Sequence, residues 1–302
     1  MAHVSEIFGF PPTNNSSIAN KFRSSYNCPF RSDSKKLVEC DPVNKGTNLT
    51  DESGNLLLSH QTGACSVLHK FRGEQTEAPV IICPYRFWER TDSNKIKVFE
   101  FIKNKFLTGK NVVFVPEVGL GEYGRADWMI CEIDKNKKLL DYNHLEFQAD
   151  ATTATKELVM CVKDFFDGKD ITTKDYGYGL NSKASIKGSS LQMIDKGFLF
   201  KKLNKKSFWV IQDTLFSILC KIYNIEMGDI TNKPCPDEHT LIFIVVSLNK
   251  NSDGQKYILT VSKCFSTKAE DMQKAMSNKK PLEEESLLEE LRAKINGGQF
   301  IG

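Results

Sequence analysis

Apolar residues recur at helical spacing at Ile96, Val98, Phe99, Ile102 and Phe106, between a capping pair, Asp92-Ser93, and a stop at Gly109, and they predict a helix. The period then changes. Residues 111–117 (Asn-Val-Val-Phe-Val-Pro-Glu) make a short apolar run ending at Pro116, which reads as a buried strand. Glu117 and Glu122 fall at or just past its end, where Gly119, Gly121 and Gly124 keep the chain open. Residues 128–133 and 139–147 form two further strand patterns around the polar run 134–138, a hairpin. With the turn centred between Asn136 and Lys137, Asp127 stands opposite Glu146 and the two side chains share a face. Side chains alternate along a strand, so Gln148 joins Glu146 on that face if the strand continues, and His144 lies there too.

Further on, residues 150–166 read as a helix stopped by Gly168, and residues 207–223 as a long helix. Residues 241–248 and 257–261 read as strands joined through Asp253-Gly254, a hairpin signal. No fixed-period repeat is present. Residues 1–90 contrast with all of this: they mix Asn, Ser, Gly and Pro with short apolar runs and read as loop-rich, with a soft boundary near Arg90. The chain therefore divides into a loop-rich region at 1–90 and an α/β (α+β) region at 91–302.

Composition narrows the class. A chain of 302 residues, 40% hydrophobic and 26% charged, can bury a sizeable core, which argues against a disordered or fibrous protein. The start, Met1-Ala2-His3-Val4-Ser5-Glu6, lacks a basic stretch followed by an apolar one, and no apolar run is long enough to span a membrane. A cytoplasmic protein is expected, with its nine cysteines as thiols or metal thiolates. Cys28, Cys40, Cys65 and Cys83 organise the loop-rich region in knuckle-like surroundings such as Cys28-Pro29 and Cys83-Pro84. Four sulfurs suit tetrahedral zinc or iron, although their long, irregular spacing also fits buried thiols or a disulfide pair; a reducing compartment favours metal over disulfides. The other five cysteines sit in apolar contexts and read as core.

The net charge of +3 is too small to name a partner, but its distribution is uneven. Lys183, Lys187, Lys196, Lys201, Lys202, Lys205 and Lys206 face only Asp195 in the same stretch, which reads either as a phosphate-seeking surface or as a solvated face. Glu283, Glu284, Glu285, Glu289 and Glu290 make the last helix acidic and turn it away from any polyanion.

Asp127 and Glu146 across a hairpin, with a third carboxylate from Glu117 or Glu122, make an oxygen-rich cluster suited to Mg²⁺. Such an ion lowers the pKa of water and neutralises phosphoryl oxygens, the needs of phosphodiester hydrolysis. The Gln148 amide can hold an attacking water by hydrogen bonds. His144 competes as a general base or ligand, and a satisfied structural histidine fits its position equally.

Seven segments, in order, carry a resemblance: Glu6-Ile7-Phe8-Gly9, Cys28-Pro29-Phe30, Lys36-Leu37-Val38-Glu39, Gly63-Ala64-Cys65, Cys83-Pro84, Ala126-Asp127-Trp128 and Leu145-Glu146-Phe147-Gln148. Together they resemble the NotI family of type II restriction endonucleases over roughly residues 6–165. The resemblance implies a PD-(D/E)XK nuclease core with a mixed central sheet flanked by helices. It also implies a homodimer acting on double-stranded DNA at a GC-rich palindrome containing GGCC, such as CGGCCG, with four-base 5′ overhangs. It assigns structural iron to Cys28, Cys40, Cys65 and Cys83, a site whose thiolates also accept zinc. It assigns Mg²⁺ to Asp127 and Glu146, and catalytic roles to Asp127, Glu146, Gln148 and Glu122, the last from its Glu-x-x-x-x-Glu spacing after Glu117. A water then attacks phosphorus in line and releases a 3′-hydroxyl. Gln148 stands where nucleases of this class usually carry lysine, which puts the lysine-dependent mechanism in doubt. A cognate DNA methyltransferase would act on the same site without binding this chain. Arg86 is a candidate for base reading, and Lys183, Lys187, Lys201 and Lys202 for phosphate contacts. The rival readings are a repair or junction nuclease of the same fold and a non-catalytic DNA-binding metalloprotein.

Overall fold

The computed structural model describes residues 2–33, 35–40, 49–50, 52–71, 73–278 and 284–297. Near the start, β1 (Ala2–Ile7), β2 (Ala64–His69) and β3 (Ala78–Ile81) form an antiparallel sheet, with α1 (Ser17–Ser24) between the first two. Residues expected to be mainly loop thus contain a sheet. Its strands are short and buried on both faces, so they lack the period-two alternation that marks an exposed strand.

The rest of the chain is built on a seven-stranded mixed sheet. After α2 (Lys97–Phe106) come β4 (Val112–Gly119), β5 (Arg125–Ile133) and β6 (Leu139–Gln148). Next are α3 (Thr155–Phe166), α4 (Ser182–Lys202), β7 (Ser207–Gln212), α5 (Asp213–Tyr223) and β8 (Gly228–Asp229). The chain continues with β9 (Leu241–Lys250), β10 (Tyr257–Thr267), α6 (Ala269–Ser277) and α7 (Glu284–Asn296). The strand order is β4-β5-β6-β7-β9-β10-β8, with β7 parallel to both β6 and β9 and every other pair antiparallel.

Three departures from the sequence pattern have clear causes. Residues 207–223 are not one helix: Ser207–Gln212 are all buried at the sheet centre, and α5 begins at once with Asp213. A central parallel strand is apolar on both faces and shows no alternation, and no Gly or Pro separates it from the helix. Asp92-Ser93 do not cap α2, because residues 91–95 close a turn through Thr91 N–H to the Lys95 carbonyl (2.8 Å), delaying the helix to Lys97. The third helix begins at Thr155, not near 150, because the Asp150 carboxylate is occupied by Ser182 and Ser185 of α4 and the Ala151 N–H.

Alternation along the central strands divides the core between two layers. Phe208, Val210, Ile242 and Ile244 face α2, whereas Trp209, Ile211, Phe243 and Val245 face α4, α5 and α6. The N-terminal sheet packs on α3, with Val4, Ile7 and Val67 against Leu158, Val159 and Val162. It is joined to the large sheet by polar contacts at the strand ends. Gln212 accepts from Ile81 N–H (2.7 Å) and donates to the Pro79 carbonyl (2.6 Å), and Asp150 N–H donates to the Ile81 carbonyl (2.9 Å). The acidic helix α7 buries none of its described residues, and Glu283 lies outside them. Among the described residues no helix is long and apolar enough to cross a membrane.

Candidate active site and cysteine cluster

The β5–β6 register sets the site. Trp128 pairs with Leu145 and Met129 with His144, so the next step along the ladder brings Asp127 against Glu146. Phe147 N–H donates to Asp127 Oδ2 (2.9 Å), and Asp127 N–H donates to Glu146 Oε1 (3.3 Å). The predicted cross-strand pair is therefore formed. The two carboxyl groups lie close enough to share a proton, and desolvation together with the Glu146 charge pushes the Asp127 carboxyl up to about 6. Asp127 is an exposed residue at the rim, with its carboxylate turned inward onto the strand; Glu146 is buried.

Glu146 Oε1 is held by two further donors, Lys196 Nζ at 2.5 Å and His144 Nε2 at 2.9 Å. Burial and the Lys196 charge press the His144 pKa down to about 3, so its imidazole is neutral. Its tautomer follows from the partners: Nε2–H donates to Glu146, and Nδ1 accepts from the Ser207 hydroxyl (2.8 Å). Ser207 Oγ in turn accepts from Trp209 Nε1–H (2.9 Å). His144 is thus a structural support for Glu146 and not a general base. Concentrating the donors on Oε1 and Oδ2 leaves Glu146 Oε2 and Asp127 Oδ1 with no N–H or O–H donor among the described residues.

Lys196 is the neighbour of this carboxylate pair that the sequence left undistinguished among seven lysines. It is 4% exposed and also donates to the Arg125 carbonyl at 2.8 Å. One signal could have singled it out. The buried positions Ile186, Ser190, Met193, Gly197 and Phe200 trace one helical face of α4, and Lys196 sits in that face. Gly197 lets the helix close in, since a Cβ there would meet Leu241 at 3.1 Å and Ala269 at 3.2 Å.

Other expected site residues fall elsewhere. Gln148 ends β6 on the Glu146 side, and its amide donates to the Ala149 carbonyl (2.8 Å). Glu122 does not join the carboxylates among the described residues: it is exposed on the one-turn 3-10 segment Gly121–Tyr123. Glu117, at a left-handed backbone position (φ 54°), pairs with Arg125 at 3.2 Å on the surface. The site therefore has two converged carboxylates, and among the described residues no group of three or more His, Cys, Asp or Glu forms a metal-holding set.

Arg86 is not available to read bases. It is 1% exposed, and its guanidinium donates to Glu6 (2.8 and 3.1 Å), Glu89 (2.6 Å) and the Tyr257 carbonyl (2.8 Å), with the Phe30 ring 4.5 Å away. A cation so placed joins β1, the segment after β3 and β10. Of the lysines proposed for phosphate contact, Lys183, Lys187 and Lys202 are exposed, while Lys201 is paired with Glu270.

The four cysteines come from separate pieces of chain. Cys28 N–H donates to the Val38 carbonyl and Cys40 N–H to the Tyr26 carbonyl, which sets these two side by side. Cys83 N–H donates to the Cys65 carbonyl (3.2 Å). Gly63, at φ 64°, lets Phe8 pack against the start of β2, since a Cβ would lie 2.4 Å from that ring. The other three sulfurs are within electrostatic reach of Cys40, and all nine cysteines are free thiols. The Cys40 thiol donates to Cys28, which pushes Cys40 up, with burial adding to it, and pulls the Cys28 thiol down to about 7, while burial and the neighbouring sulfurs push Cys65 up. Burial and mutual repulsion thus oppose several thiolates here, a cost that a bound cation removes. Thiols are soft donors, but among the described residues no three of these sulfurs converge into a metal-holding group.

No protein-family model matches the chain, and no curated protein sequence matches it.

Proposed function

We propose that the chain is a Mg²⁺-dependent endonuclease of the PD-(D/E)XK class. In this reading it acts as a homodimer on double-stranded DNA at a GGCC-containing palindrome such as CGGCCG. The observation that carries the reading is the Asp127–Glu146 pair, in which one oxygen of each carboxylate receives no N–H or O–H donor among the described residues. Asp127 and Glu146 would hold the magnesium ion, which when bound acidifies water and neutralises charge at phosphorus. Hydrogen bonds from His144, Lys196 and the Asp127 N–H keep Glu146 from rotating, a preorganisation that costs nothing at the moment of reaction. Gln148 presents its amide oxygen as an acceptor that can orient the attacking water. Twofold DNA sites suit a C2 dimer, with one centre for each strand. Cys28, Cys40, Cys65 and Cys83 would hold structural iron, or zinc through the same thiolates, away from the carboxylates.

A mapped digest tests this. Phage DNA incubated with the chain and Mg²⁺ should give discrete fragments whose sequenced ends share one palindrome and a four-base 5′ overhang. Uncut DNA removes the nuclease reading and leaves a DNA-binding metalloprotein. Cleavage governed by DNA structure points instead to a repair or junction nuclease.

A further inference from the structure

Lysine is rarely buried, and Lys196 is both buried and in contact with a candidate metal ligand. It is also fastened from three directions. Its Nζ donates to Glu146 Oε1 and the Arg125 carbonyl, Asp150 anchors the first turn of α4 through Ser182 and Ser185, and Gly197 seats the helix against Leu241 and Ala269. The ammonium therefore cannot swing into solvent as a surface lysine would. Its charge acts at short range in a poorly screened setting.

Asp127 and Glu146 bring two carboxylates to the site and Lys196 sets one ammonium against them, while His144 only donates a hydrogen bond. The site then carries a single net negative charge. A divalent cation alone overshoots it by one positive charge, and a phosphodiester brings the missing negative one. We propose that the fixed ammonium of Lys196 makes divalent-cation occupancy of Asp127 and Glu146 depend on DNA, so that metal and DNA bind cooperatively. This rests on the nuclease reading. Without Lys196 the carboxylates would attract the cation unopposed, and the phosphate would lose an attractive charge. Coupling of this kind is reciprocal, so each ligand must raise the affinity for the other by the same factor.

Calcium binding to the full-length chain, measured by calorimetry with and without a duplex containing CGGCCG, tests the proposal through affinity and not turnover. In the wild type, saturating duplex should tighten Ca²⁺ binding by about tenfold or more, and saturating Ca²⁺ should tighten duplex binding equally. Lys196→Gln keeps a donor beside Glu146 and removes the charge. It should bind Ca²⁺ without DNA about tenfold more tightly than the wild type, with the coupling factor falling towards one. Folded Lys196→Gln that binds Ca²⁺ no more tightly than the wild type overturns the proposal. If that variant does not fold, the wild-type coupling alone decides, and its absence overturns the proposal. A wild type that cuts DNA in Mg²⁺ while binding Ca²⁺ and duplex independently sinks this inference only. A wild type that neither cuts DNA nor binds Ca²⁺ sinks the nuclease reading beneath it.

Discussion

Replacing Arg86 with Met separates a structural arginine from a base-reading one. In the wild type the Glu6 side chain is fully buried and its carboxylate is met by the guanidinium and by the Ser66 hydroxyl (2.6 Å). Met fills much of the arginine volume but leaves that carboxylate with one neutral donor. It also strips Glu89 of a 2.6 Å partner and the Tyr257 carbonyl of a 2.8 Å donor. Breaking a buried ion pair from one side costs roughly 3–5 kcal/mol, because an uncompensated charge stays behind. At about 2–4 °C per kcal/mol for a chain somewhat smaller than this one, Arg86→Met should melt roughly 6–20 °C lower. Thermal and urea unfolding followed by circular dichroism measure it. The double variant Glu6→Gln, Arg86→Met should recover part of the loss, since no charge is then buried unpaired. Wild-type melting of Arg86→Met, together with weakened DNA binding, would refute the structural role and restore Arg86 as a DNA contact.

The remaining predictions concern the site and the cysteines. Asp127→Asn should lower the cleavage rate at least about a thousandfold, with DNA binding without divalent cation retained in gel-shift assays. With the Asp127 carboxyl raised to about 6, metal binding requires loss of its proton; Mn²⁺ affinity, followed by calorimetry, should fall as pH drops below 6 and level off above it. The same raised pKa has the opposite sign for the metal-free fold. The native state holds this proton more tightly than the unfolded chain does, so its contribution to stability is present at low pH and is lost as pH rises from about 4 through 6. Urea titrations of the metal-free protein and of Asp127→Asn across that range should diverge accordingly. Elemental analysis of the purified chain should find one tightly bound iron per chain, and Cys65→Ser should lose it; less than one ion per wild-type chain counts against the quartet as a metal site.

The β5–β6 hairpin was legible because its cause is local. A polar five-residue turn closes the hairpin with Ile133 opposite Leu139. A register shift before the Glu132–Asp141 pair moves the ladder by one residue, and that local irregularity, which the alternation did not show, brings Asp127 against Glu146. The same locality made the β9–β10 hairpin and the body of α2 readable. What tertiary structure alone decided involves groups distant along the chain. The run from Lys183 to Lys206 places Lys196 on the apolar face of a helix but does not name its partner, because that depends on α4 lying across the sheet and meeting Glu146 from fifty positions away. Arg86 reads as an accessible cation until Glu6, Glu89 and Tyr257 close around it. Glu122 follows the right spacing, yet the turn between Gly121 and Gly124 leaves it in solvent. Sequence by itself determined the pairing of neighbours along one hairpin; burial, and with it the charge and partners of Lys196, Arg86 and His144, was decided by packing between segments that no local periodicity connects.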